Sequence, residues 1–304
     1  MNELLTDVKK LHEETLENLK SSKANNTLRA YKSDFIDFCA FCAKHGFNSL
    51  PTEPKIVAIY LTYLSSFSKY STLKRRLASI NVIHKLKGHY IDTKHPIIAE
   101  NLMGIKRKMG VKQTAKKPLL INDLKSLINV IDEEKNEYKK HQNRALILIG
   151  FAGGFRRSEL VSIEYEDLDF VTEGVKIIVK RSKTDQTGEG MIKAIPYFDN
   201  KIYCPVLSLK NWIDFSNIQS GLVFKISDKT VALTIKKYAL IAGLDKTKYA
   251  GHSLRSGFAT STAEIGADER SIMAMTGHKT TQMVRRYIKE SNLFKNNALN
   301  KIKI

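Results

Sequence analysis

The sequence predicts a mainly α-helical protein of two domains with one small antiparallel β-sheet. Three observations carry that prediction. The first third of the chain shows helical periodicity and helix punctuation but no convincing strand. The segment VKQTAKKP, Val111–Pro118, then lacks apolar periodicity, carries three lysines and ends in proline, as an interdomain linker does. Beyond it the apolar period turns from helical to alternating at one place, where VKIIVK and MIKAIPYF flank the polar RSKTDQTGEG.

Each element has a local reason. Asn2–Lys20 reads as a charged amphipathic helix, and Asn26–His45 follows an Asn-Asn-Thr cap and stops at Gly46. Pro54 opens a helix to Phe67 in the position where its missing N–H costs nothing. Ser71 is expected to cap STLKRRLASINVIHKLKG, which Gly88 closes, and Pro96 opens a fifth helix ending in GIKRKMG. After the linker, LLINDLKSLINVID and QNRALILIGFAGG read as helices, the two β-rich runs form a hairpin with an exposed tip, and helical patterns resume from Pro205. One of these, SDKTVALTIKKYALIAG, is capped by Ser227 or Asp228. The expected boundaries are 1–112 for a helical domain, 113–118 for the linker and 119–304 for a mixed domain.

Composition narrows the class of function. The chain has 304 residues, and 50 Lys and Arg against 31 Asp and Glu leave a net charge of +19, of which residues 1–112 hold +9. An excess this large and this spread favours an extended polyanion over a small acidic ligand, the alternative being a solvated basic surface. Three cysteines make no disulfide framework, and no apolar signal region follows the polar MNELLTDVKK, so an intracellular protein is expected. The longest apolar run, Ala145–Phe155, falls far short of the roughly 20 residues that span a bilayer. Cys39 and Cys42 form a CxxC without a second ligand pair, inside an amphipathic helix, and read as packed thiols.

The second domain carries unusual polar residues. GGFRRSEL places Arg156 and Glu159 where a buried helix gives way to the next, RSKT places Lys183 near the hairpin tip, GHSLRSG sets His252 and Arg255 one helical turn apart, and TGHKTTQMVRRY adds His278 and Tyr287. Taken singly, each has a plain structural reading: an ion pair, a turn lysine, a cap, or a tyrosine on the apolar stripe of Met283, Val284 and Ile288. Taken together, with no Asp/Glu cluster to hold Mg²⁺, they suit metal-free transfer at a phosphodiester. Guanidinium groups bind non-bridging oxygens bidentately, which suits Arg156 and Arg255. The Tyr287 hydroxyl needs a base or nearby cations to act as nucleophile, and His252 is the candidate base. Lys183 is placed to protonate the leaving 5′ oxygen.

In this order, GGFRRSEL, RSKT, GHSLR and TGHKTTQMVRRY, the residues resemble the tyrosine recombinase (phage integrase) family over nearly the whole chain. The resemblance implies Arg156 as the first catalytic arginine, Glu159 as the brace, Lys183 as the hairpin lysine, His252 and Arg255 as the HxxR pair, His278 at the His/Trp position and Tyr287 as nucleophile. Within the family the helical first domain is most similar in pattern to the Cre branch, from which His278 departs while agreeing with the wider family. It further implies a helical core-binding domain and a catalytic domain clamping double-stranded DNA, with dimers on each site and a homotetramer on paired sites. Strands would exchange through a 3′-phosphotyrosyl intermediate and a Holliday junction, without cofactor, metal or ATP, in the cytoplasm at the nucleoid of a bacterial or phage-infected host. The C-terminal LFKNNALNKIKI would pack on a neighbouring protomer or within its own. By position, Arg29, Ala30, Ser71, Arg75 and Lys229 resemble base-contacting sites, while Arg285 and Arg286 suit the DNA backbone or solvent. The layout without an arm-binding domain fits a self-sufficient system. A DNA-binding protein of the same fold without strand exchange, and a type IB topoisomerase-like relaxing activity, are the alternatives.

Overall fold

Proline, glycine and buried aromatic residues set the limits of the first helices. The computed structural model describes residues 8–11, 13–15, 17–18, 25–110, 116–180, 190–278, 280–291 and 302, with the backbone alone at 25, 286 and 288–291. Two compact units divide at residue 114, 1–114 and 115–304. In the first, the described residues between 8 and 18 form helix α1, followed by α2 (Asn25–Lys44), α3 (Pro54–Ser65), α4 (Tyr70–Leu86) and α5 (Pro96–Met109). Pro54 and Pro96 occupy first-turn positions, and Gly46, Gly88 and Gly110 take positive φ beyond the ends of α2, α4 and α5.

Helix α4 starts differently from the expectation. Lys69 is its N-cap and makes no side-chain bond, so Ser71 is no cap but an exposed residue of the first turn. Tyr70, packed against the core of this unit, takes the first helical position, so packing sets the start where a cap was expected. That core joins Phe38, Phe41, Val57, Tyr60, Leu61, Leu73, Ile80 and Ile98. Cys42 lies in it with its thiol pushed up to about 11 by burial and by the neighbouring Cys39. A buried carboxylate, Asp34, holds Arg75 and Arg76 of α4 against α2.

The second unit is built round α7 (Glu137–Ala152), whose residues from Gln142 to Ala152 are almost all buried. Around it lie α6 (Ile121–Asp132), α9 (Pro205–Ser216), α10 (Asp228–Ile241) and α11 (Ser253–Glu264). Ser227 caps α10 by accepting from the Thr230 N–H, which decides between the two expected caps. Gly257 lets α11 come down on the chain before α6, since a Cβ there would lie 2.0 Å from the Leu119 carbonyl oxygen. Helices α8 (Arg157–Val161), α12 (Glu269–Thr276) and α13 (Thr281–Ser291) complete the α-helices among the described residues, beside three single-turn 3-10 helices.

The sheet is antiparallel, in order β1 (Leu168–Val171), β2 (Gly174–Val179) and β3 (Met191–Pro196). Strand β1 was not foreseen: LDFV is short and half-buried, with an alternation too brief to register beside its neighbours. The hairpin tip lies outside the described residues. Among the described residues no helix is long and apolar enough to cross a membrane.

Candidate active site

The site begins where α7 runs out. Gly153 caps that helix, and Gly154 takes φ +54°, a turn that brings Phe155 back into the core and leaves Arg156 at the N-cap of α8. A side chain at Gly154 would meet Phe258 at 3.0 Å and Thr276 at 3.2 Å, so glycine is required on both counts. The carboxylate of Glu159, at the third position of α8, accepts from the Arg156 backbone N–H at 3.0 Å and from its guanidinium. Glu159 is buried, so this one anion both closes the helix end and aims the arginine.

Helix α11 supplies the second arginine. His252 is its N-cap and Arg255 lies in its first turn, yet their environments differ: Arg255 is 1% exposed, whereas His252 stands open at the surface. Arg255 Nη1 donates to the Gly154 carbonyl at 2.9 Å, tying α11 to the turn that carries Arg156. Its Nε and Nη2 are buried with no hydrogen-bond partner among the described residues. Burial, and then the adjacent Arg156, push its guanidinium down to about 10, against the opposing pull of Glu159. It stays a cation at neutral pH, with donors left over for an acceptor from outside the protein.

Two histidines complete the walls. Partial desolvation by the surrounding walls, and then the charges of Arg255, Arg156 and Arg157, hold His252 below its ordinary value. His278 is buried and pushed down to about 4, by burial first and then by Arg255 and Arg156. The Thr276 hydroxyl gives its single hydrogen to the Ile272 carbonyl at 2.6 Å, so in the 2.8 Å contact between Thr276 and His278 the ring Nδ1 is the donor. Arg156, Arg157, Ser158, Asp228, Gly251, His252, Arg255, His278 and Met283 line one pocket of about 500 Å³.

Tyr287, on α13, points its hydroxyl to this pocket, 3.5 Å from His252 Nε2, with its ring 6.1 Å from that of His278. Val284 anchors α13 in a small cluster with Ala259, Ala263 and Ile272, against which Tyr287 packs. Met283, on the expected apolar stripe, is instead 55% exposed and lines the pocket, while its neighbour Val284 is the one turned fully inward among the described side chains of α13. The Ile288 side chain and Lys183 lie outside the described residues. Arg156, Glu159, His252, Arg255, His278 and Tyr287, dispersed over 132 positions of sequence, therefore meet in one place.

Sequence reasoning missed Arg157, Ser158 and Asp228 in the pocket wall; the RR doublet of GGFRRSEL was the available signal for the first. Lys229, beside Asp228 on α10, is exposed. In the first unit Arg29 and Ser71 are exposed and Ala30 partly buried, while Arg75 is half-exposed and paired with Asp34.

Residues 118–293 match the model of the Phage integrase family. The chain is also 40% identical over 299 residues, 93% of its own length and 87% of the other's, to the integrase/recombinase XerD homologue of Selenomonas ruminantium. It belongs to the phage integrase family. Members of this family are tyrosine recombinases, and the chain is one: a site-specific DNA recombinase. Tyrosine recombinase XerC of Syntrophus aciditrophicus is 27% identical over 72% of this chain and 69% of its own. Among solved structures, the XerH site-specific recombinase bound to palindromic difH substrate shares the fold with a TM-score of 0.62 at 18% identity, covering 81% of this chain and 73% of that one. A lambda integrase dimer bound to a COC′ core site shares it with a TM-score of 0.61 at 18% identity, covering 100% and 99%.

Proposed function

We propose that this recombinase cuts and rejoins double-stranded DNA at paired target sites through Tyr287. The observation that carries the reading is Arg255: two buried nitrogens, Nε and Nη2, without a partner, on a side chain that lines a pocket with Arg156, His252 and His278. An exposed cation there would need no explanation, but a buried guanidinium with idle donors calls for a bidentate anion, and a scissile phosphate is one.

The chemistry follows from the side chains. Tyr287 Oη attacks phosphorus in line, His252 accepts its proton, and the bond to the 5′ oxygen breaks as Lys183 protonates that oxygen. Arg156 and Arg255 hold the two non-bridging oxygens as negative charge grows on them, and Glu159 keeps Arg156 aimed. His278, neutral in the free protein, faces the same phosphate. The 3′-phosphotyrosyl ester retains the energy of the diester, so attack by another 5′ hydroxyl reverses the step without ATP, metal or cofactor.

Arg29, Ala30, Ser71 and Arg75 are the proposed reading residues of residues 1–112, with Lys229 a further contact; Asp34 would hold the Arg75 fork at a fixed angle. Exchange proceeds through a Holliday junction in a homotetramer, two protomers per site. Support for protomer contact comes from an apolar groove of about 510 Å³ lined by Phe151, Phe198, Phe258, Ile265 and Met275, which has room for a few apolar side chains of a neighbour's C-terminal segment. A nicked suicide substrate in EDTA tests the whole reading: a covalent protein–DNA adduct is expected from the wild type and none from Tyr287→Phe. Adduct formation by that variant would refute the assignment.

A further inference from the structure

Strand β3 alternates in burial, but with the chemistry reversed at two positions. Apolar Ile192 faces outward, 64% exposed, while Lys193 faces the core and is 0% exposed. Its ladder partner, Ile177, is fully buried as well. Removing an ammonium from water is costly, and an apolar residue of similar length would serve a merely structural position at least as well. The residue does not line the pocket.

What surrounds the ammonium explains its presence. Nζ donates to the Gly153 carbonyl at 2.7 Å and to the Met275 carbonyl, and lies 4.7 Å from the centre of the Phe155 ring. Its three N–H groups thus have two carbonyls and a π face to meet. Gly153 caps α7 and Met275 sits in the last turn of α12, so the carbonyl-rich, negative ends of two helices converge on one cation. Each carbonyl lies three residues before a pocket side chain: Gly153 before Arg156, and Met275 before His278. The aromatic ring beneath the ammonium belongs to the residue next to Arg156.

We propose that Lys193 is a positioning residue for strand cleavage: its ammonium clamps the turn that carries Arg156 to the turn that carries His278, fixing their separation across the phosphate. The inference rests on the reading of the pocket as the phosphate site. Four charged or titratable groups face Lys193: Glu159 favours its charge, and Arg255, Arg156 and His278 share the same space. Burial, opposed by Glu159 and aided by the two arginines, pushes Lys193 down to about 7. The clamp is therefore charged below that pH and loses its charge as pH rises through it.

The test is single-turnover cleavage of a nicked suicide substrate, with DNA affinity and thermal melting measured on the same full-length variants. For Lys193→Met, affinity within about twofold of wild type is expected, with cleavage slowed ~10- to 100-fold by misplacement of the two side chains. Lys193→Arg should recover most of the rate, and because arginine keeps its charge, the ratio of its rate to that of the wild type should climb above pH 7 or so. Cleavage by Lys193→Met within about threefold of wild type overturns the inference, as does a loss that merely parallels the unfolded fraction or the loss of affinity. Should Lys193→Met fail to fold, Lys193→Arg decides, a pH-independent rate ratio overturning the clamp and a rising one supporting it. Tyr287→Phe, run alongside, reports separately on the phosphate site, since an adduct from that variant removes the underlying reading whatever the Lys193 variants do.

Discussion

Replacing Arg255 with methionine should abolish cleavage while making the free protein more stable, a combination that a structural arginine would not produce. Wild-type Arg255 buries two nitrogens, Nε and Nη2, without partners, each costing about 1–3 kcal/mol. Burial is the main burden on its charge, and Arg156 adds to it while Glu159 and Tyr287 oppose it. Against this, the variant loses the bond to Gly154 and leaves one carbonyl unpaired, about 1–3 kcal/mol. The difference favours Arg255→Met by about 1–3 kcal/mol, a rise of roughly 3–10 °C in Tm for a unit of this size. Cleavage should fall at least ~100-fold, as it does when a donor to developing charge is removed. Melting curves with and without sulfate complete the assay: an anion that binds only the folded pocket raises the Tm of the wild type with concentration and leaves that of the variant unchanged. A variant that melts more than about 5 °C below the wild type would refute the reasoning, and so would equal stabilisation of both by sulfate.

Three further outcomes follow from the same geometry. His278, held at about 4, stays neutral in the folded protein while the unfolded chain takes up a proton below about 6.5, so its contribution is present above that pH and is lost as pH falls towards 4, about 3 kcal/mol in all. In His278→Phe the stability curve should flatten across this window; His84 and His252, also held low, act in both proteins, so an unchanged difference between the curves would dismiss the effect. Gly154→Ala, at φ +54° with Phe258 3.0 Å from the new Cβ, should cost about 1–2 kcal/mol by denaturant titration, and should slow cleavage because the Gly154 carbonyl steers Arg255. With a net charge of +19, DNA affinity measured from low to moderate salt should fall steeply and linearly on logarithmic axes, and a flat line would deny phosphate contact by the basic surface.

Local chemistry made much of the architecture legible before any coordinates. Pro54 and Pro96 announce helix starts because only a first turn tolerates a missing N–H, and VKIIVK with MIKAIPYF announces a hairpin because alternation at period two belongs to strands. The types and order of Arg156, His252, Arg255, His278 and Tyr287 likewise carried the resemblance to the family, since transfer at a phosphodiester needs those functional groups wherever the fold puts them. Helix α4 shows the limit: Ser71 had the chemistry of a cap, but packing of Tyr70 decided where the helix began.

The tertiary structure decided what each side chain experiences. Sequence placed His252 and Arg255 one turn apart, yet only the packing of α11 against the Gly154 turn buries the arginine with idle donors and leaves the histidine open beside Tyr287. Met283 and Val284 are neighbours in an apolar stripe, but one is exposed at the pocket and the other is buried, because a helix face is defined by what lies against it. Lys193 is the sharpest case. In sequence it is one lysine among many in a basic protein, and its inward orientation, its two helix ends and the turns it joins exist only after distant segments meet, because desolvation and charge pairing depend on distance through space and not along the chain.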